Sequence, residues 1–210
     1  MTATGGRRIG VLISGRGSNL QALIDATRDG RLEAQIAVVI SNRPGAQGLE
    51  RARAASIPTV TLDHRGFATR DLFEHALVRE LRAHDVSLVC LAGFMRLLGA
   101  TVLDAYPNRI LNIHPSLLPA FPGVDAQRQA WSHGVRVAGA TVHLVTNELD
   151  GGPIVLQTPV PVRDEDTPET LAARILEEEH RLYPEAAQIV LDGGWTIDGR
   201  RFVRSSSSRR

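Results

Sequence analysis

The sequence holds one cysteine, Cys90, in 210 residues, so neither an internal disulfide nor a cysteine-based zinc cluster can form. A reducing, cytoplasmic setting is the expectation. Neither sign of charge is in excess: 24 Lys and Arg stand against 23 Asp and Glu, a formal net charge of +1. Without surplus basic residues to neutralise a run of phosphates, no nucleic-acid partner is expected. Long apolar runs are missing as well. The longest, Val86 to Met95, includes Ser87 and Gly93 and falls short of the roughly 20 residues that span a bilayer, so no membrane association is expected. The run Ile9 to Ile13, after Arg7 and Arg8, is too short for a signal-peptide core. What is present is a hydrophobic fraction of 43%, which suffices for a substantial core in one or two domains and excludes a purely disordered chain.

Residues 8–13, 34–41 and 59–62 read as strands, and each precedes a segment of helical apolar spacing, at 18–28, 46–55 and 69–84. The strands are continuous Val, Ile and Leu runs, which predicts an α/β fold: an open, mostly parallel twisted sheet with helices on both faces. Further strands are expected at 87–92 and 110–114. Pro115, Pro119 and Pro122 fall within eight residues and predict a stiff irregular loop. A short helix is expected at 126–133, then strands at 140–145 and 154–160 around the turn-forming 147–153, adding antiparallel strands near the C-terminal part. Residues 167–191 read as a long amphipathic helix with a capping pattern at Thr167, Glu169 and Thr170, and Pro184 is expected to kink or break it. The expected organisation is one domain over 1–203, with halves at about 8–105 and 106–203, and a disordered Ser/Arg tail at 204–210.

Three constellations carry chemistry. Ser14-Gly15-Arg16-Gly17-Ser18-Asn19-Leu20 lies between the first strand and the first helix. The N–H groups of Gly17, Ser18 and Asn19 at a helix start suit an anion such as a phosphate, with Gly17 leaving room for its close approach. An ordinary glycine-containing turn with Ser18 as N-cap fits equally well. The loop has neither the third glycine of a dinucleotide fingerprint nor the Gly-Lys-Ser/Thr of a P-loop, so NAD and ATP are not expected. In Asn112-Ile113-His114-Pro115-Ser116-Leu117-Leu118-Pro119, period-two alternation puts Asn112 and His114 on one strand face, roughly 6.5 to 7 Å apart. Such a pair suits acyl transfer, with amide and protonated imidazole stabilising an oxyanion, or neutral imidazole taking a proton from an attacking amine. The end of a strand is where open α/β sheets bind ligands, which favours function over a core histidine. In Asn147-Glu148-Leu149-Asp150-Gly151-Gly152-Pro153, Asp150 either pairs with His114 or only serves an Asp-Gly turn. His143 precedes this loop with its direction open. No metal-ligand spacing and no Gly-x-Ser-x-Gly elbow occurs, so no metal and no covalent nucleophile is expected.

Together these segments, with Ser41-Asn42, Gly48-Leu49-Glu50-Arg51-Ala52 and Leu91-Ala92-Gly93-Phe94-Met95-Arg96, resemble the phosphoribosylglycinamide formyltransferases of the formyltetrahydrofolate-using superfamily, over about 9–198. The resemblance implies a Rossmann-like formyltransferase fold and transfer of a formyl group from 10-formyltetrahydrofolate, as co-substrate, to the amine of 5'-phosphoribosylglycinamide in purine biosynthesis. It implies that Gly17, Ser18 and Asn19 hold the ribonucleotide phosphate and Glu179 its ribose. Arg70, Met95, Arg96, Leu97, Leu98 and Asn112 would bind folate, and Asn112, His114 and Asp150 form the catalytic trio. The expected partners are these small molecules, with a homodimer as the assembly to test. The chain departs from the family at Ala120 and Asp125, where basic residues are common, which weakens attraction for an anionic substrate. The alternative is a formyltetrahydrofolate hydrolase, which typically carries an added N-terminal domain for which the residues before Arg8 leave no room. A folate-binding module without activity would not need Asn112, His114 and Asp150 together.

Overall fold

The apolar runs become buried strands in the computed structural model, which describes residues 6–205. Two compact units divide the chain, Met1–Leu111 and Asn112–Arg210, so the boundary falls inside strand β5 (Ile110–His114) and later than the expected 105/106.

In the first unit β1 (Arg8–Ile13), β2 (Gln35–Ser41), β3 (Thr59–Thr61) and β4 (Leu88–Leu91) pair in parallel in the order β3-β2-β1-β4. Every residue of β1 after Arg8, and of β2 after Gln35, is buried. Both faces of these strands are therefore covered, which is why they are apolar throughout. The helices are α1 (Ser18–Arg28), α2 (Gly48–Ala54), α3 (Arg70–Ala83) and α4 (Ala100–Ala105); the last, only six residues long, was not expected. Helix α3 crosses β1 closely, and a Cβ on Gly10 would lie 2.6 Å from Leu81 Cδ2. It starts at Thr69, whose hydroxyl accepts the Leu72 N–H at 3.2 Å, a cap worth about 1 kcal/mol.

In the second unit the proline-rich segment precedes α5 (Ala126–Ser132), and β6 (Val137–Leu144) pairs antiparallel with β7 (Ile154–Pro161). The expected hairpin forms, with a register shift between Val142 and His143. Helix α6 (Pro168–Asp192) has a full capping box between Thr167 and Thr170 and runs through Pro184 without a break. The proline should cost about 3 kcal/mol in a helix interior. It is buried together with Leu182, Tyr183, Ala186 and Ala187, and the apolar area buried on that face offsets the cost.

Beyond α6 the chain forms a hairpin absent from the expected elements, β8 (Trp195–Asp198) with β9 (Arg201–Arg204), and β9 continues the second unit in the order β6-β7-β9-β8. Arg204 therefore belongs to a strand and not to a disordered tail, and the Ser205 N–H donates to the Gly194 carbonyl at 2.7 Å. The rest of that expected tail, 206–210, lies outside the described residues. Among the described residues no helix is long and apolar enough to cross a membrane.

Asp166 pins the start of α6. Its carboxylate accepts the Arg163 N–H at 2.7 Å and the Thr170 hydroxyl at 2.9 Å, and pairs with Arg174. The Arg163 N–H, Arg174 and Thr170 together overcome the upward push of burial and hold this carboxyl below the ordinary aspartate range. A depressed folded-state pKa gives stability that is fully present above the unfolded value near 4 and lost as pH falls through the folded one. The thermal midpoint is accordingly expected to decline below about pH 4, and Asp166→Asn should flatten the decline in calorimetry between pH 3 and 7. An equally steep decline in the variant would assign it to other carboxylates.

Candidate active site

Strand β5 ends at His114, and the chain then enters Pro115–Pro122, where regular structure is impossible and the loop must be held from outside. Thr141 of β6 does this, donating through Oγ1 to the Ser116 carbonyl at 2.6 Å and accepting the Leu118 N–H at 3.1 Å. Gln157 of β7 adds a bond to the Leu118 carbonyl at 2.7 Å. The same two strands position His143, on β6, and Asp150, on the loop that follows.

Asn112, His114, His143 and Asp150 converge. The Asn112 amide nitrogen lies 3.2 Å from His143 Nε2. The Asp150 carboxylate places one oxygen 3.6 Å from His143 Nε2 and the other 3.5 Å from His114 Nδ1. Its second oxygen also accepts the Gly123 N–H at 2.8 Å. His143 answers the direction left open by the sequence: its ring faces Asp150 and is almost wholly buried. Asp150 has φ +49°, a left-handed conformation that aspartate tolerates better than most residues. It is thus both a turn residue and a partner of His114.

Tautomers follow from the acceptors. His143 Nδ1 lies 3.0 Å from the Leu144 carbonyl and His114 Nε2 lies 2.8 Å from the Phe121 carbonyl. Carbonyls only accept, so both nitrogens carry protons. His143 Nε2 then lies between the Asn112 amide and the Asp150 carboxylate. Neutral His114 would turn its only lone pair towards a carboxylate, so the pair with Asp150 is favourable when His114 is doubly protonated and donates from both nitrogens. Of the two roles open for His114, this conformation suits the cationic donor. Burial pushes the Asp150 carboxyl up, but His143, the Gly123 N–H and the positive charge on His114 outweigh it, and the carboxyl is held below the ordinary range. It is an anion at neutral pH. His114 is also buried, so its truncation disturbs packing as well as chemistry, contrary to the expectation of a side chain outside the core.

The unusual Asp125 has a local explanation. It sits at φ +54° as the residue before α5, without capping through its side chain. Aspartate suits that left-handed backbone. Phe121, at φ +53°, is less suited to it and marks strain in the stretch whose carbonyl holds His114.

The first unit carries the other assigned groups. Helix α1 is preceded by Gly17 at φ +73° with no side-chain cap, and Ser18 is its first helical residue and not its N-cap. The first-turn N–H groups are left to other partners. A Cβ on Gly17 would lie 2.7 Å from the Gly48 Cα, and Gly48 N–H donates to the Gly15 carbonyl at 3.0 Å. Internal packing therefore requires a glycine here, apart from any ligand. Gly17→Ala is expected to lower the thermal midpoint and, by moving the loop, to raise the ribonucleotide KM more than the folate KM, read from melting curves and both KM values. A selective rise in the ribonucleotide KM at unchanged stability would restore the ligand-approach reading.

After β4, residues 93–99 are irregular, with Met95 63% and Leu97 62% exposed. Leu98 is buried, and the Arg96 guanidinium lies 5.5 Å from the Phe73 ring centroid. Arg70 joins this segment, bonding through Nε to Glu74 at 2.7 Å and through Nη2 to the Leu97 carbonyl at 2.9 Å. The buried Glu74 carboxylate also accepts the Gly99 N–H at 2.8 Å. The Met95 N–H donates to Ser14 Oγ at 2.9 Å, and Ser14 donates to Asn42 at 2.6 Å. Arg70 and residues 95–98 are thus brought together, and their two exposed apolar side chains fit uptake of a flat apolar ring. Asn112 belongs to the second unit. So does Glu179, buried on α6. Among the described residues no group of three or more His, Cys, Asp or Glu is placed to hold a metal ion.

Residues 7–187 match the Formyl transferase family. The chain is 45% identical over 190 residues to the phosphoribosylglycinamide formyltransferase of Escherichia coli (strain K12), covering 90% of this chain and 87% of that one. It spans a small part of the trifunctional purine biosynthetic proteins it matches, 18% of the human one at 47% identity. Glycinamide ribonucleotide transformylase 1 from Symbiobacterium toebii superposes with a TM-score of 0.94 at 56% identity, over 96% of this chain and 95% of that one. A formyltetrahydrofolate deformylase from Pseudomonas syringae superposes at 0.87 with 27% identity, covering 67% of its own length. With the mostly parallel sheet and the converging Asn112, His114, His143 and Asp150 already described, this match over most of the chain shows that the protein belongs to the formyl transferase family.

Proposed function

We propose that this chain transfers the formyl group of 10-formyltetrahydrofolate to the amine of 5'-phosphoribosylglycinamide. The observation that carries the reading is the convergence of Asn112, His114, His143 and Asp150 in a chain 45% identical to a phosphoribosylglycinamide formyltransferase. Attack of the amine on the formyl carbon forms a tetrahedral oxyanion. The Asn112 amide and the imidazolium of His114 stabilise that charge once His114 Nε2 turns from the Phe121 carbonyl, while the Asp150 carboxylate faces its Nδ1. As the bond between the formyl carbon and the folate nitrogen breaks, the attacking amine gives up one proton and the folate nitrogen gains one, releasing tetrahydrofolate and the N-formyl product. The N–H groups of Gly17, Ser18 and Asn19 hold the phosphate and Glu179 the ribose, while Arg70, Met95, Arg96, Leu97 and Leu98 receive folate. Neither metal nor ATP takes part.

Transfer differs from hydrolysis by the acceptor, and the likeness to the deformylase makes hydrolysis the second reading. Absorbance of the folate product should rise only when the ribonucleotide is added and should be unaffected by EDTA. Equal product without ribonucleotide selects the hydrolase, and loss in EDTA reversed by a divalent ion overturns the metal-free mechanism.

A further inference from the structure

The sequence contains no lysine, so all 24 of its Lys and Arg are arginine. Three of them, Arg16, Arg43 and Arg65, line one cavity of about 750 Å³ in the first unit, within the size range of small-molecule sites. Its walls follow the ends of three adjacent strands: Ser14 to Arg16 after β1, residues 43–47 after β2, and His64 with Arg65 after β3. None of Gly17, Ser18 or Asn19 lines it, and no carboxylate does.

The charges are unevenly compensated. Arg65 is held by the neighbouring Asp63 at 2.8 and 3.0 Å. The hydrogen bonds from Arg65 hold the Asp63 carboxyl at about 2, so that pair stays ionised and mutually neutralised over the working pH range. Arg16 and Arg43 are exposed, and their guanidinium groups have no hydrogen-bond or ion-pair partner among the described residues. Two unpaired guanidinium groups on one concave wall raise the local concentration of anions. Guanidinium forks match phosphate and carboxylate oxygens in geometry. Gly15 and Gly45 have nothing within 4 Å of where a side chain would stand, so a ligand can come down onto the backbone.

We infer that this cavity binds a small polyanion, a molecule with two or more phosphate or carboxylate groups, at a place separate from the amide cradle of α1. Calorimetric titration of the full chain at low salt, with sodium pyrophosphate in one series and sodium citrate in another, tests it; the tighter of the two identifies the oxyanion. One equivalent is expected to bind, and the Arg16→Ala/Arg43→Ala double variant should bind at least 10-fold more weakly at an unchanged melting temperature. Because both side chains are exposed and unpartnered, loss of binding would not report misfolding. Arg43→Glu alone should weaken binding further than Arg43→Ala. Binding should persist with saturating 5'-phosphoribosylglycinamide, and the readout stands even if that ribonucleotide does not bind. Failure of both anions to bind, equal affinity in the double variant, or displacement by the ribonucleotide would overturn the inference.

Discussion

Asp150→Asn should lower kcat by about 100-fold or more, the size typical of a lost acid–base or electrostatic contribution, while the ribonucleotide KM stays within a few-fold. Asparagine keeps the shape and tolerates the φ of +49°, and its side-chain oxygen can still accept the Gly123 N–H. Only the charge between His114 and His143 is removed, so melting temperature should change little. Without the carboxylate the cationic form of His114 loses the partner facing its Nδ1, and its stabilisation of the oxyanion weakens. If turnover stays near that of the unaltered chain, Asp150 serves the turn alone and the proposed trio fails.

The fold was legible where one physical signal dominated. Residues 18–28 and 110–114 appear with the expected bounds because glycine before a helix and a short Leu/Ile strand leave few alternatives. Pro184 misled, because helix propensity is local whereas the apolar face buried around Tyr183 is not. The β8–β9 hairpin was missed although its signal is present. Gly199-Arg200, after Asp198, connects the alternating Trp195–Asp198 to Arg201–Arg204, and Gly199 has the positive φ, +59°, that such a connection needs.

For the site, alternation along β5 predicts Asn112 and His114 on one face, and the structure brings Asn112 to His143 and His114 to Asp150. His143 was left open, because the register shift after Val142 breaks the alternation that would have predicted its side. The bond from Gly123 to Asp150 and that from His114 to the Phe121 carbonyl involve backbone groups, and backbone partners leave no trace in residue type. The arginine-lined cavity is equally silent in sequence, since Arg16, Arg43 and Arg65 come from three separate loops.

What holds Asp150 in place is testable through the glycine two residues on. A Cβ on Gly152 would lie 1.8 Å from the Leu144 carbonyl oxygen and 2.9 Å from its carbon. Backbone cannot swing aside as a flexible side chain can, so Gly152→Ala must move the loop away from β6. Two bonds are lost or stretched by that movement: Leu144 N–H to the Pro153 carbonyl, at 2.9 Å, and His143 Nδ1–H to the Leu144 carbonyl, at 3.0 Å. Overpacking of this kind costs about 1–3 kcal/mol and a lost hydrogen bond about 1 more, which for a chain of this length lowers the melting temperature by on the order of 10 °C. Asp150 and His143 shift together, so kcat should fall about as far as in Asp150→Asn, but with the loss of stability that Asp150→Asn lacks. Gly151→Ala is the control in the same loop. Its Cβ would meet the Glu148 side chain, which is 64% exposed and free to turn into solvent, so both stability and turnover should change little. Melting curves and steady-state rates for the two alanine variants separate the outcomes: if Gly152→Ala proves as mild as Gly151→Ala, the loop yields and the position of Asp150 is set by its bonds to His143 and Gly123 instead of by the contact with Leu144.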